Sequence, residues 1–240
     1  MKKKHLDIRY EPLYMVGEAA RYLNMRENTL RYWTRGHGRA KPLILRPDGN
    51  RIGALMSFVN LVEAQILFSL TKGQLVHLRE IRKGLDYILE ELSLDVDEHP
   101  LANMRLYTDG RGLIVEHLGM YINASKRGQL EIEDVIDIFL KRVDFDADEL
   151  PVSIYPFSHK IQKKKNVSLH EQLIRQPKPI CINPRISFGR PVMAGTGIPT
   201  EIVYNRFQSG DELEDLAEDY GREISEIGAA ICYESVRRAA

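Results

Sequence analysis

Cysteine is scarce in this chain, with two residues, Cys181 and Cys232, in a total of 240. Two thiols cannot build a disulfide framework, and neither stands in a Cys-x-x-Cys spacing, so both read as reduced, mostly buried thiols. Long apolar runs are missing too: none approaches the roughly 18 residues a membrane-spanning helix needs. The opening Met-Lys-Lys-Lys-His-Leu-Asp has no apolar stretch after its basic residues, so it does not read as a signal peptide, and the expected location is the cytoplasm, away from any membrane.

The seven histidines are scattered without a His-x-x-x-His pair, and no Gly-x-Ser-x-Gly occurs. Asp144, Asp146, Asp148 and Glu149 are spaced superficially like a calcium loop. Its sixth and twelfth positions are Glu149 and Tyr155 where glycine and glutamate are required, so they read as a solvated acidic turn. A phosphate loop needs four residues between its glycines and a lysine after the second. Gly189 and Gly195 have five residues between them and Thr196 follows. The expectation is a protein that is not an enzyme and holds neither metal nor cofactor.

Net charge is zero, but by cancellation. Residues 1–60 hold 12 basic and five acidic groups, a net of +7, and residues 158–190 hold eight and one, again +7. Residues 201–240 hold four and ten, a net of −6, and the two stretches between, 61–100 and 101–157, are each −4. A basic end suits phosphate. An acidic end suits a basic protein surface or simply solubility.

The most telling stretch is 14–33. Val16, Ala19, Ala20 and Leu23 give a short apolar helix, Asn24-Met25-Arg26 a tight turn, and Leu30 and Trp33 the buried side of a second helix. What remains of that second helix is Asn28, Thr29, Arg31 and Tyr32, hydrogen-bonding and cationic groups. Two helices joined by a turn of three or four residues, the second polar and basic, is how a protein offers a helix to the DNA major groove. Leu43 to Arg46 and Arg51-Ile52 flank an Asp48-Gly49, a hairpin signal. After a recognition helix such a hairpin is a wing. The expected contacts are Arg26 and Asn28 at the start of the helix, Thr29, Arg31 and Tyr32 along it, Arg35 at its end, and Lys41, Arg46 and Arg51 clamping the DNA backbone from the wing.

Further on, Ser57 can cap a helix carrying Phe58, Leu61, Val62, Ile66, Leu67 and Leu70, broken at Gly73. Leu78, Ile81, Leu85, Ile88 and Leu92 repeat at 3-4-3-4 spacing over 74–92, about two heptads, which suits either an internal core or a dimer seam. Residues 100–157 read as mixed α+β. They hold a second hairpin signal around Asp109-Gly110, an amphipathic helix from Ile132 to Val143, and a strand at 152–155. Residues 158–179 read as a basic linker.

The last unit opens with a Gly-, Pro- and Arg-rich loop over 183–199, in which Arg185 and Arg190 are either pinned to carbonyls or shown to a partner. Three short helices follow. Thr200 opens the first and Gly210 closes it; Asp211 caps the second with Glu214 as its box partner; Gly221 stops it, and Ser225 caps the third. That makes a trihelical, homeodomain-like bundle. Such a bundle can also bind DNA, but Glu212, Glu214, Asp215, Glu218 and Asp219 on its second helix, and Glu226 and Glu234 on its third, would repel phosphate. It is expected to bind protein, with the acidic helix or with Arg185, Arg190, Arg237 and Arg238 as contacts. The fold class is therefore mainly α with small β-hairpins. Its expected parts are a winged helix-turn-helix (1–72), an α+β middle and dimerisation region (73–157), the linker (158–179) and the trihelical module (180–240).

Two families are resembled. Val16-Gly17-Glu18-Ala19-Ala20 through Thr29-Leu30-Arg31-Tyr32-Trp33 resembles the MerR-type winged helix-turn-helix, here with a compact wing. Pro184-Arg185 through Phe188-Gly189-Arg190-Pro191, then Gly195-Thr196-Gly197-Ile198-Pro199, Gly210-Asp211 and Ala217-Glu218-Asp219-Tyr220, resembles the bacterial domain-of-unknown-function family 433. With Ser57 to Ala64 and His99-Pro100-Leu101-Ala102, nearly the whole chain is similar to the large VapB-type antitoxins. The resemblance implies pairing with a PIN-like ribonuclease toxin, binding to operator DNA and repression of the chain's own operon, as a homodimer. A MerR-like regulator that responds to a ligand through 100–157 is the alternative.

Overall fold

The computed structural model describes residues 7–36, 41–47, 53, 55–71, 78–91, 99–102, 138, 140–156 and 177–239. Helix α1 is Val16–Tyr22 and α2 is Glu27–Arg35. Their inner residues recur at helical spacing: Val16, Ala19 and Ala20 on one, Leu30, Trp33 and Thr34 on the other, all buried. The turn between them needs a left-handed residue, and Asn24 supplies it at φ 51°, a conformation asparagine tolerates well. The N–H of Met25 then donates to Ala20 O at 3.0 Å, closing the corner.

Tyr14 bridges Met56 antiparallel, which brings the start of α3 (Phe58–Thr71) back against the pair. Ser57 and Asn60 cap α3 reciprocally: Asn60 N–H donates to Ser57 Oγ (3.2 Å) and Ser57 N–H to Asn60 Oδ1 (3.1 Å). Helix α3 is buried on all sides, with every residue from Phe58 to Leu67 in the interior. Three polar residues go under with it. Asn60 donates to Leu45 O (2.8 Å) and Glu63, and Glu63 meets His99 Nδ1 at 3.1 Å. On α4 (Leu78–Glu91), Ile81 is in the core with Leu78 and Leu85 packed beside it. These described heptad positions face the chain's own interior.

Strands β1 (Val143–Phe145) and β2 (Pro151–Ile154) form an antiparallel hairpin with a bulge at Asp144/Phe145. Val143 thus opens a strand where the sequence pattern predicts the end of a helix. The hairpin expected around Asp109-Gly110 lies outside the described residues, as do most of the expected linker and much of the wing. In the wing, residues 41–47 form no strand; Leu43 and Ile44 N–H both donate to Trp33 O, at 2.8 and 3.1 Å. One core runs from Tyr14 through α3 to Leu101, Val143, Ile154 and Ile182, so the middle of the chain shares the interior of the helix-turn-helix.

The C-terminal unit has its own core of Ile180, Met193, Val203, Leu216, Ile227, Ala230 and Tyr233. It is built from the short hairpin β3 (Ile180–Cys181) and β4 (Val192–Met193), then α5 (Thr200–Gln208), α6 (Leu213–Tyr220) and α7 (Ile224–Ala239). Gly221 ends α6 in the left-handed region, as its position predicts. Two expected caps are displaced. Glu212, not Asp211, is the N-cap of α6, because Asp211 is drawn to Arg206 Nε at 2.5 Å. Ser225 lies inside α7, whose start is held instead by Glu223 N–H donating to Glu226 Oε2 at 3.1 Å. Cys181 is buried but Cys232 is exposed, against the expectation of two buried thiols.

Among the described residues the two units meet at several places: Ile182 pairs with Ile154 in an antiparallel bridge, Asn183 donates to Ser153 Oγ at 3.1 Å, and two further contacts reach the helix-turn-helix itself. Tyr233 of α7, fully buried, donates from its hydroxyl to Tyr22 O at the end of α1 (2.8 Å). Gly189, at φ 74°, sits so close to Leu13 and Tyr14 that any side chain there would collide with both. The C-terminal unit is thereby seated on the first helix of the helix-turn-helix, and α2 remains on the surface.

Candidate nucleic-acid interface

With Leu30, Trp33 and Thr34 turned inward, the opposite stripe of α2 carries Asn28, Arg31, Tyr32 and Arg35. Arg26, the N-cap residue, Asn28 and Arg35 are exposed; Tyr32 is an exposed large ring; Arg31 is partly exposed; Thr29 is half-buried. The structure therefore brings six of the nine expected DNA-contacting residues onto one helix and its cap. Each has a suitable donor or acceptor. Arginine can pair two-pronged with a phosphate or with the O6/N7 edge of guanine, asparagine with the N6/N7 edge of adenine.

One feature of this face was not in the sequence reading. Arg31 donates to the carboxylate of Glu27, one turn earlier. The i,i+4 spacing of Glu27 and Arg31 was the available signal. Gly17 makes room for the pair, since a Cβ at that position would lie 2.9 Å from Glu27 Oε2. Both side chains are 42% exposed, and a pair so exposed is weak, so Arg31 is exchangeable onto a phosphate.

The wing residues fare differently. Lys41 is exposed, and its carbonyl accepts from Arg82. Arg46 is only 4% exposed, which corrects its assignment as a backbone clamp: its guanidinium is turned into the protein beside the core. Arg51 lies outside the described residues.

The C-terminal arginines also divide. Arg185 and Arg190 are exposed, and Arg190 Nε donates to Ser187 O at 3.2 Å. Arg237 is 9% exposed, ion-paired to the fully buried Glu234, and its guanidinium lies 5.5 Å from the Tyr22 ring. This corrects two readings: Arg237 is not a free contact for a partner, and Glu234 does not repel phosphate from the surface. Glu234 also accepts from Thr200 Oγ1 at 2.5 Å. Burial opposes the charge on Arg237, but the Glu234 carboxylate prevails and holds it firmly protonated. Arg238 lies over the Tyr204 ring at 4.6 Å and donates to Asn205 and Glu201, so it braces α7 against α5. Outward on α6 stand Glu214, Asp215, Glu218 and Asp219, all exposed. This face carries the acidic charge that excludes a phosphate backbone.

None of the described helices is long and apolar enough to cross a membrane. Residues 12–85 match the family described as "Putative DNA-binding HTH domain", and residues 180–233 match the "Protein of unknown function (DUF433)" family. The first of these matches agrees with the helix-turn-helix that α1 and α2 form at the N-terminal side of the chain. Over its length it is similar to a Mycobacterium tuberculosis protein named "Putative antitoxin VapB45". The two are 25% identical, and the match covers 91% of this chain and 92% of that one. Among solved structures it is similar to the crystal structure of Rv2018 from Mycobacterium tuberculosis, with a TM-score of 0.65 and 22% identity, over 93% of this chain and 99% of the other. That likeness establishes a shared fold.

Proposed function

We propose that this chain is the antitoxin of a toxin–antitoxin pair. It binds and neutralises a PIN-like ribonuclease toxin and, through a MerR-like winged helix-turn-helix, represses its own operon as a cytoplasmic homodimer without catalytic activity of its own. The observation that carries this reading is the division of the surface. The outer stripe of α2, with the cap before it, presents Arg26, Asn28, Arg31, Tyr32 and Arg35, while α6 presents Glu214, Asp215, Glu218 and Asp219. A protein that must hold a nucleic acid and a second protein at once needs two such unlike faces. The length-wide similarity to a protein named as an antitoxin supports the same assignment.

The test of neutralisation is co-expression of the full chain with the product of the adjoining gene under separate promoters. Restored growth on inducing this chain is the expected result. Growth arrest that persists while both proteins accumulate contradicts the antitoxin role. For repression, a reporter driven by the DNA upstream of the chain's own gene should fall several-fold when the chain is supplied; an unchanged reporter removes that half of the proposal.

A further inference from the structure

Phe188 is the most exposed large hydrophobic side chain among the described residues, at 81%. Its backbone is left-handed, at φ 56° and ψ 37°, between Ser187 at φ 47° and Gly189 at φ 74°. An aromatic residue rarely adopts that conformation, and it persists only where the surroundings over-determine it. Here they do. Gly189 N–H donates to Ile186 O (2.9 Å), Arg190 N–H to Ser187 O (3.2 Å), and Ser187 Oγ to Gly197 O (2.8 Å), while Gly189 is wedged against Leu13 and Tyr14. These contacts hold the turn, and the ring at its tip contributes to neither core. A glycine or asparagine would fit the same backbone with less strain and less apolar exposure.

Two cations flank Phe188 in the sequence. Arg185 and Arg190 are both exposed, and Asp7, which lies within electrostatic reach of Arg185, is itself held by Arg9. An exposed aromatic ring on a hydrogen-bonded turn, with exposed arginines two and three residues away, has the composition of a protein-interface hot spot. A duplex fits less well. The 183–199 loop supplies two cations only, and the 40 residues from 201 onward carry a net of −6.

Building on the antitoxin reading above, we propose that Phe188 is the anchor by which this chain docks its toxin, entering an apolar pocket on that protein rimmed by carboxylates that pair with Arg185 and Arg190.

The test uses the full chain, the purified product of the adjoining gene and the upstream DNA. Phe188→Gly and Arg185→Glu are each compared with the wild type by titration calorimetry, thermal unfolding and DNA anisotropy. Phe188→Gly should bind the toxin about 30-fold more weakly or worse, with a Tm at or above the wild type and DNA affinity within about two-fold. Arg185→Glu should weaken the toxin about tenfold through charge reversal. Toxin affinity unchanged in Phe188→Gly overturns the proposal while the antitoxin reading stands. So does a lowered Tm, which would make the ring structural, or a loss confined to DNA, which would make it a nucleic-acid contact. A wild-type chain that does not bind the adjoining gene's product removes the antitoxin reading and this anchor together.

Discussion

Helices α1 and α2 and helices α6 and α7 are the same device used twice. Each is a short helix, a tight turn that passes through one left-handed residue (Asn24 or Gly221), and a second helix. They differ in what faces out and what faces in. On α2 the cations and the tyrosine ring are outward and the paired carboxylate Glu27 is weakly held at the surface. On α7 the cation Arg237 is inward, locked to a buried carboxylate, and the neighbouring α6 offers acid to the solvent. Topology alone does not make a DNA reader. The orientation of charge on the second helix decides it.

That comparison is broken most severely at the joint between the units. Tyr233→Ala removes a fully buried ring and should cost about 3–5 kcal/mol in denaturant unfolding. Tyr233→Phe, which removes only the hydroxyl from Tyr22 O, should cost about 1–2 kcal/mol. If the two substitutions proved equally mild, the units would not be joined through this residue. The inward and outward arginines of α7 sharpen the contrast next. Arg237→Ala strands the Glu234 charge and should cost about 3 kcal/mol. Arg238→Ala, at a half-exposed pair, should cost less than about 1 kcal/mol. Gly189→Ala should cost about 1–3 kcal/mol, because it collides with Leu13 and Tyr14 and forces a side chain into the left-handed region.

The smallest effect concerns acid. Arg9 is held to Asp7 at 2.6 Å and to Asp146 at 2.5 Å, tying the chain start to the β1–β2 hairpin. The hydrogen bond from Arg9 holds Asp7 below the ordinary carboxylate range. At Asp146, burial opposes the same trend but is outweighed by the Leu150 N–H and by Arg9. A carboxylate depressed in the folded state adds stability that is complete above its unfolded value, near 3.8, and is lost as pH falls below it. Stability should therefore be flat above about pH 5 and decline below about pH 4, and Arg9→Met should remove part of that decline. An identical acid profile in that variant would dissociate the pair from stability.

Much of this was legible in the residues because it depends on local pattern. The inward rows of α1 and α2, the Ser57 cap and spaced apolar positions of α3, and the glycine stop at 221 follow from spacing and from backbone chemistry. What was not legible depends on distant neighbours. Arg46 resembles any wing cation until the fold buries it. Asp211 has good cap chemistry, but Arg206 competes for it. Arg237 is buried only because Tyr22, far away in sequence, arrives beside it through Tyr233. Phe188 stood inside a quoted motif, yet its exposure arises from a backbone conformation that no residue pattern announces.

The outer stripe of α2 is proposed to hold duplex DNA. Fluorescence anisotropy of the full chain on its upstream DNA, across a salt series, tests it directly, comparing the wild type with the Arg31→Ala, Tyr32→Ala double variant. The expected result is an affinity loss of about tenfold or more at fixed salt, with the slope of log affinity against log salt falling by about 0.9 for each phosphate contact removed. Superimposable curves for the two proteins would contradict it.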